Sequence, residues 1–236
     1  MKNRKTIIIV VGIVAIGVVA AGAAWAMNRG SSTTAAQPSR DLGPVIATVD
    51  GQPIYLAEMR SRVEGIQSVH GTFEETLGED WQDKLLQNLV DDKIVEQQAS
   101  AMGIAVTDEQ IQTNMDKLRA MFADDQQFQD WLTQGQMDLA ELTARVRLQA
   151  ITSTLYVKVT EGVTVSNDDA HAYWEAHPDK YPGIDGGQAP FLSVRSQIKE
   201  DMSKEARDKV YGAWLEDQRA TVDVVVVMSD WWKEIA

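Results

Sequence analysis

Residues 6–28 carry no charge, and residues 7–27 are almost wholly apolar. The following stretch, NRGSSTTAAQPSRDLGP at 28–44, shows no apolar periodicity and reads as a flexible tether. Then the pattern changes to strand and helix signals. Val45–Val49 is a β-prone run that stops at Asp50-Gly51, a dipeptide suited to a tight turn, with Pro53-Ile54-Tyr55 behind it. Leu56, Met59 and Val63 recur three and four apart, as one helical face requires. Trp81, Leu85, Leu86, Leu89, Val90, Ile94 and Val95 predict a second helix whose wide apolar arc suits a central, buried position, and Gly103 is a natural stop beyond it.

Thr107-Asp108-Glu109-Gln110 has the form of a capping box, and Ile111, Met115, Leu118 and Phe122 follow at helical spacing. Asp124-Asp125 interrupts that stripe ahead of an expected short turn around Phe128, Trp131 and Leu132. Asp138 can cap a helix through Leu142, Val146, Ile151 and Leu155, and Ser166 opens another that ends before Pro178. After a break rich in Gly and Pro, Phe191, Val194, Ile198, Met202, Val210 and Trp214 mark a long amphipathic helix. Residues 222–227 are β-prone and able to pair with Val45–Val49, which would join the two ends of the body into one unit. The fold class expected is mainly α, with one small pairing of N- and C-terminal strands, preceded by a transmembrane helix. The division expected is 1–27 as signal anchor, 28–44 as linker and 45–236 as one helical body to which the helix at 190–221 returns.

Charge changes the picture at the N-terminus. Lys2, Arg4 and Lys5 precede the apolar run, whose 21 residues reach about 30 Å as a helix, the thickness of a bilayer's hydrocarbon core. The basic head predicts a cytoplasmic N-terminus and an extracytoplasmic body. Ala24-Trp25-Ala26 also has the small-x-small form of a cleavage site, so two outcomes stand side by side: a single-pass cell-membrane anchor through residues 7–27, or secretion after cleavage near Ala26. After residue 27, 19 basic side chains face 35 acidic ones, a net charge of −16. A body so acidic is repelled by phosphate backbones, which excludes general nucleic-acid binding. The absence of cysteine excludes disulfides, thiol nucleophiles, Cys-ligated zinc and lipid attachment through a cysteine.

Signs of catalysis are few. His171 and His177 lie six apart, on opposite sides of a helix, and with His70 they read as surface residues. The pairs Asp91-Asp92, Asp124-Asp125 and Asp168-Asp169 read as solvated faces and helix caps, because adjacent helical residues point about 100° apart. No zinc-ligand spacing, nucleotide-binding glycine motif or nucleophile elbow occurs, so the expectation is a non-enzyme with no catalytic residue, metal, cofactor or nucleotide. Seven methionines lie beyond the leader, and flexible thioethers suit both core filling and a surface that adapts to many partners. Trp231-Trp232 is an exposed-looking pair near the C-terminus.

The ordered set ATVDGQPIYLAEM at 47–59, LLQNLVDDKIVEQQASAMGIAVTDEQI at 85–111, VTVSNDDAHAYWEAHPDKY at 163–181, PFLSVRSQIKEDM at 190–202 and VYGAWLEDQRATVDVVV at 210–226 resembles the SurA N-terminal family of extracytoplasmic folding factors, of SurA, PrsA and PpiD type. The resemblance implies an ATP-independent chaperone whose helices form an apolar cradle for unfolded or nascent exported polypeptides. Many members insert a parvulin prolyl isomerase between helices equivalent to 168–177 and 191–214. Here only PGIDGGQA separates Tyr181 from Pro190, far short of the roughly 50 residues an independent domain needs. The expectation is therefore a holdase without isomerase activity, with Met115, Leu118, Phe122, Trp131, Met202 and Trp214 as client-binding residues. The rival is a non-catalytic accessory subunit of a secretion or envelope-assembly complex, with the same helices bound to one fixed partner.

Overall fold

The computed structural model describes residues 42–70, 78–135 and 137–235. Along the chain run β1 (Val45–Val49), β2 (Gln52–Tyr55), α1 (Leu56–His70), α2 (Trp81–Ala101), α3 (Asp108–Arg119), α4 (Asp125–Gln134), α5 (Leu139–Val159), α6 (Asn167–Ala176), α7 (Phe191–Arg219) and β3 (Val224–Val226), with a 3-10 turn at Trp231–Glu234. The chain is mainly helical with one small sheet. Among the described residues no helix is long and apolar enough to cross a membrane. The spanning helix expected at 7–27, its cleavage site and the tether lie outside the described residues, the tether's last three positions excepted.

The chain divides into two compact units, the first running to Ser153 and resuming at Asp223, the second spanning Thr154–Val222. In the first, β1 and β2 form an antiparallel hairpin closed by Asp50 (φ 49°) and Gly51 (φ 78°). Positive φ at both central residues is the type I′ turn, whose twist matches that of the flanking strands. β3 pairs antiparallel with the other side of β1, Val49 opposite Val224 and Ala47 opposite Val226. Strand order is thus β2-β1-β3, a three-stranded sheet where the sequence predicted one pairing of terminal runs. The β3 ladder is also narrower than the 222–227 run that suggested it.

Helix α2 packs on β1, β2 and α1. Leu85, Leu89, Val90, Ile94, Val95 and Ala99 are its buried residues, beside Ile46, Ala47, Val49 and Ile54 of the sheet and Leu56, Met59 and Val63 of α1. Its wide apolar arc is therefore used on more than one side, as the sequence indicated. Gln97 also donates to the Val49 carbonyl at 3.1 Å. Trp231 is only 2% exposed and meets Trp81 edge-on at 6.0 Å, so the tryptophan pair that looked exposed in sequence supplies a core residue.

Helix α4 replaces the expected turn. Asp124, read as a break, is its N-cap and accepts the Gln127 amide at 2.9 Å. Thr107 and Gln110 form the predicted capping box, Asp138 accepts the Glu141 amide at 2.7 Å, and Ser166 and Asp169 close a second box at the start of α6. In the second unit α6 packs on α7, and Ala170, Tyr181 and Ile198 are buried among Val165, Tyr173, Trp174, Phe191, Val194 and Met202. The PGIDGGQA segment closes on itself: Pro182 bridges Gln188, and the Ala189 amide donates to the Tyr181 carbonyl at 2.9 Å.

Candidate functional site

The predicted stripe on α3 faces its neighbours in the first unit. Ile111 and Met115 of α3, Phe128 and Leu132 of α4 and Leu142 of α5 form a buried cluster. Met115 is 8% exposed, so this candidate residue is part of the cluster's interior. Leu118, Phe122 and Trp131 are half-buried and packed against it, with Val106, Met137 and Val146. Phe122 lies 5.4 Å from Phe128 and 5.4 Å from Trp131, and Arg119 covers the Phe128 ring at 5.1 Å. The cluster therefore has a filled centre and an aromatic rim. Met121, beside Phe122, is 62% exposed. Four of the six candidate residues are thus brought together here.

The other two belong to the second unit. Met202 is half-buried against the Ala170–Tyr181–Ile198 cluster. Trp214 is half-buried beside Tyr211 at 5.4 Å, and Tyr211 in turn meets Tyr156 at 5.3 Å, making a short aromatic ladder. Burial and a hydrogen bond to Asp208 at 2.8 Å push the Tyr156 phenol up to about 12. Hydrogen bonds from Lys204 and Tyr156 hold the Asp208 carboxyl below its ordinary range. The long amphipathic pattern of α7 is thinly used, since Ile198 is the helix's fully buried residue and Leu192 and Val210 are exposed.

Ionisable groups are arranged for structure. Asp124 and Asp169 cap helices, as the acidic pairs suggested. Asp92 departs from the solvated role: it pairs with Arg62 of α1, and burial raises its carboxyl to about 6 against that attraction. Lys93 beside it reaches Glu58 at 2.8 Å. Arg145 of α5 donates to the Ser61 carbonyl at 2.9 Å and to Glu141 at 2.7 Å, while Ser61 also donates to Glu141. These residues pin α1 against α2 and α5. No sequence motif marks Arg62 or Arg145; only their neighbours give them a role. His171 and His177 are exposed, the first 4.7 Å from Phe191 and the second stacked on Tyr173 at 4.0 Å. Among the described residues no group of three or more His, Asp or Glu is placed to hold a metal ion. The described surface carries exposed apolar side chains, Met121, Leu192 and Val210 among them.

A family model for the SurA-like N-terminal domain matches residues 1–156. The foldase protein PrsA of Clostridium acetobutylicum is 28% identical over 193 residues, covering 75% of this chain. The chain spans about half the length of that relative, 56%. A solved structure from a study of PEB4 and the periplasmic protein Cj1289, two structurally related SurA-like chaperones of Campylobacter jejuni, is similar in fold with a TM-score of 0.52. At 14% identity it covers 78% of this chain and 99% of its own.

Proposed function

The chain belongs to the SurA-like N-terminal domain family, and from that premise we propose that it is an extracytoplasmic, ATP-independent holdase that binds unfolded exported polypeptides. Residues 45–236 are the working body, 28–44 a tether and 7–27 the membrane anchor. The observation that carries the reading is the aromatic rim of the α3–α4–α5 cluster. Phe122 and Trp131 stand half-exposed over a core that is already filled, beside the exposed Met121. Large aromatic and thioether side chains held at a surface offer non-directional contact at about 25 cal/mol per Å² of apolar area covered. Such contact favours breadth of clients over selectivity.

Leu118, Phe122, Trp131, Met202 and Trp214 are the client contacts, and Met115 supports the first three of them from beneath. Nucleotide, metal and cofactor have no part in this cycle, and prolyl isomerisation is not among its activities. The eight residues between Tyr181 and Pro190 form a closed loop pinned by the Trp174 indole to the Ala189 carbonyl at 2.9 Å.

The test is aggregation of a chemically unfolded client, followed by light scattering with the full chain in detergent or nanodiscs and without ATP. Suppression at near-stoichiometric ratios is expected; scattering equal to that with an inert acidic protein would refute the reading. Photocrosslinking in cells from positions 122 and 214 gives a second readout. Many bands fit a chaperone, whereas one sharp band means a subunit bound to a fixed partner.

A further inference from the structure

Resting on the chaperone reading, we propose that the open edge of β3 is a second client contact: it pairs main chain to main chain with an extended, β-prone apolar stretch flanked by basic residues. In the order β2-β1-β3 both outer strands are edges, but they are treated differently. Edges invite pairing with other chains, and folded proteins blunt them with proline, charge or cover. β2 is blunted. Its Pro53 lies opposite Thr48, a position whose main chain faces away from β1, so that edge lacks a donor there. The strand then passes directly into α1.

β3 carries no such device. The Asp50 amide donates to the Asp223 carbonyl at 2.9 Å and the Val227 amide to the Ile46 carbonyl at 2.9 Å. Antiparallel alternation then turns Asp223, Val225 and Val227 toward β1, and Val224 and Val226 toward the open side. Two N–H and two C=O groups are presented there at the two-residue spacing of an extended strand. The side chains on either face are open too: Val224, Val225, Val226 and Val227 are 39%, 48%, 48% and 61% exposed. Four consecutive exposed valines with no lysine, proline or charge among them form an unprotected template. Pairing with β1 already holds the strand extended, which lowers the entropy lost when a partner adds to it.

Charge states which partner fits. Asp50 and Asp223 stand together at one end of the strand, where Asp50 also accepts the Asp223 amide at 2.8 Å. Residues 45–153 and 223–236, the part of the unit holding β3 that lies beyond the tether, have 22 acidic side chains against 9 basic ones. Lys233, the first basic residue after the strand, is paired with Asp230 at 3.2 Å. An apolar edge within an acidic surround recruits a strand with Lys or Arg at its ends and repels one ended by Glu.

The test uses the full chain and a fluorescein-labelled peptide of alternating valine and threonine with lysine at each end, followed by anisotropy. Val226→Pro removes an outward N–H and no bond to β1, and is expected to weaken binding about ten-fold or more. Should that variant fold poorly by circular dichroism, the wild-type chain still decides. A peptide N-methylated at alternate amides should bind about ten-fold more weakly than its parent. A glutamate-ended peptide should also bind more weakly, with the gap closing as salt rises. Equal binding of N-methylated and parent peptides would overturn the proposal. So would a wild-type dimer that Val226→Pro dissociates with peptide binding unchanged, since a second copy would then occupy the edge. Client aggregation is measured in the same samples. Suppression by wild type with undiminished N-methyl peptide binding sinks the edge alone, whereas no suppression and no peptide binding sinks the chaperone reading as well.

Discussion

Asp92 is half-buried beside Arg62 of α1, and burial raises its carboxyl to about 6 from an ordinary 3.8. A raised carboxyl favours the folded state while it is protonated. Its contribution is fully present below pH 4 and is lost as pH rises through 6, a span of about 3 kcal/mol at most. Asp92→Asn should therefore be more stable than wild type at pH 7.5 and lose that advantage by pH 4. Urea unfolding across the range checks this, and a variant equally destabilised at every pH would refute it. Adjacent Asp91 bonds Gln87 at 3.0 Å on the same helix. Sequence shows two acids about 100° apart on a helix, and only the position of α1 decides which of them meets Arg62. Phe128 is 1% exposed at the centre of its cluster, so Phe128→Ala should cost about 3–5 kcal/mol. Phe122→Ala, at the rim, should cost less in stability and more in client crosslinking.

At the scale of elements, the caps were legible because they depend on residues three apart. Thr107 with Gln110 and Ser166 with Asp169 do as their spacing indicates. α4 was misread for the same local reason. Asp124 both ends one apolar stripe and starts the next helix, and ten residues are too few to stand as a helix without packing. What makes α4 stable is the burial of Phe128 and Leu132 against α3, a contact no local pattern contains. Asp124→Ala should cost about 1 kcal/mol by removing the cap, detectable as an earlier change in tryptophan fluorescence on urea titration. The β1–β2 turn was legible from Asp50-Gly51 because few residues accept positive φ. Gly51→Val should destabilise the hairpin by about 1–2 kcal/mol, as positive φ crowds any Cβ.

Across the whole chain, acidity is unevenly divided. Beyond the tether, residues 45–153 and 223–236, with the sheet and the α3–α4–α5 cluster, have 22 acidic and 9 basic residues, and the unit at Thr154–Val222 has 12 and 8. Under the proposed holdase function, a chain so charged is expected to suppress aggregation of basic clients better than acidic ones. Raising salt should narrow that difference, because exposed charges more than about 8–10 Å apart are screened near physiological ionic strength. Light scattering with one basic and one acidic client at two salt concentrations measures it, and an equal response from both would refute the electrostatic part.

The sequence by itself determined the compartment expectation, the helical class, the capped helix starts, the turn at Asp50-Gly51 and the pairing of the two terminal β-prone runs. Each depends on neighbours in sequence or on composition, and the physics of caps, turns and periodicity is local. Tertiary structure alone decided what each apolar face meets. It placed Met115 inside a cluster, left Phe122 and Trp131 at its rim, buried Trp231 against Trp81 and left the valines of β3 open. Periodicity shows that a face is apolar. Whether that face is covered depends on segments far away in the chain, and those are brought together only by folding.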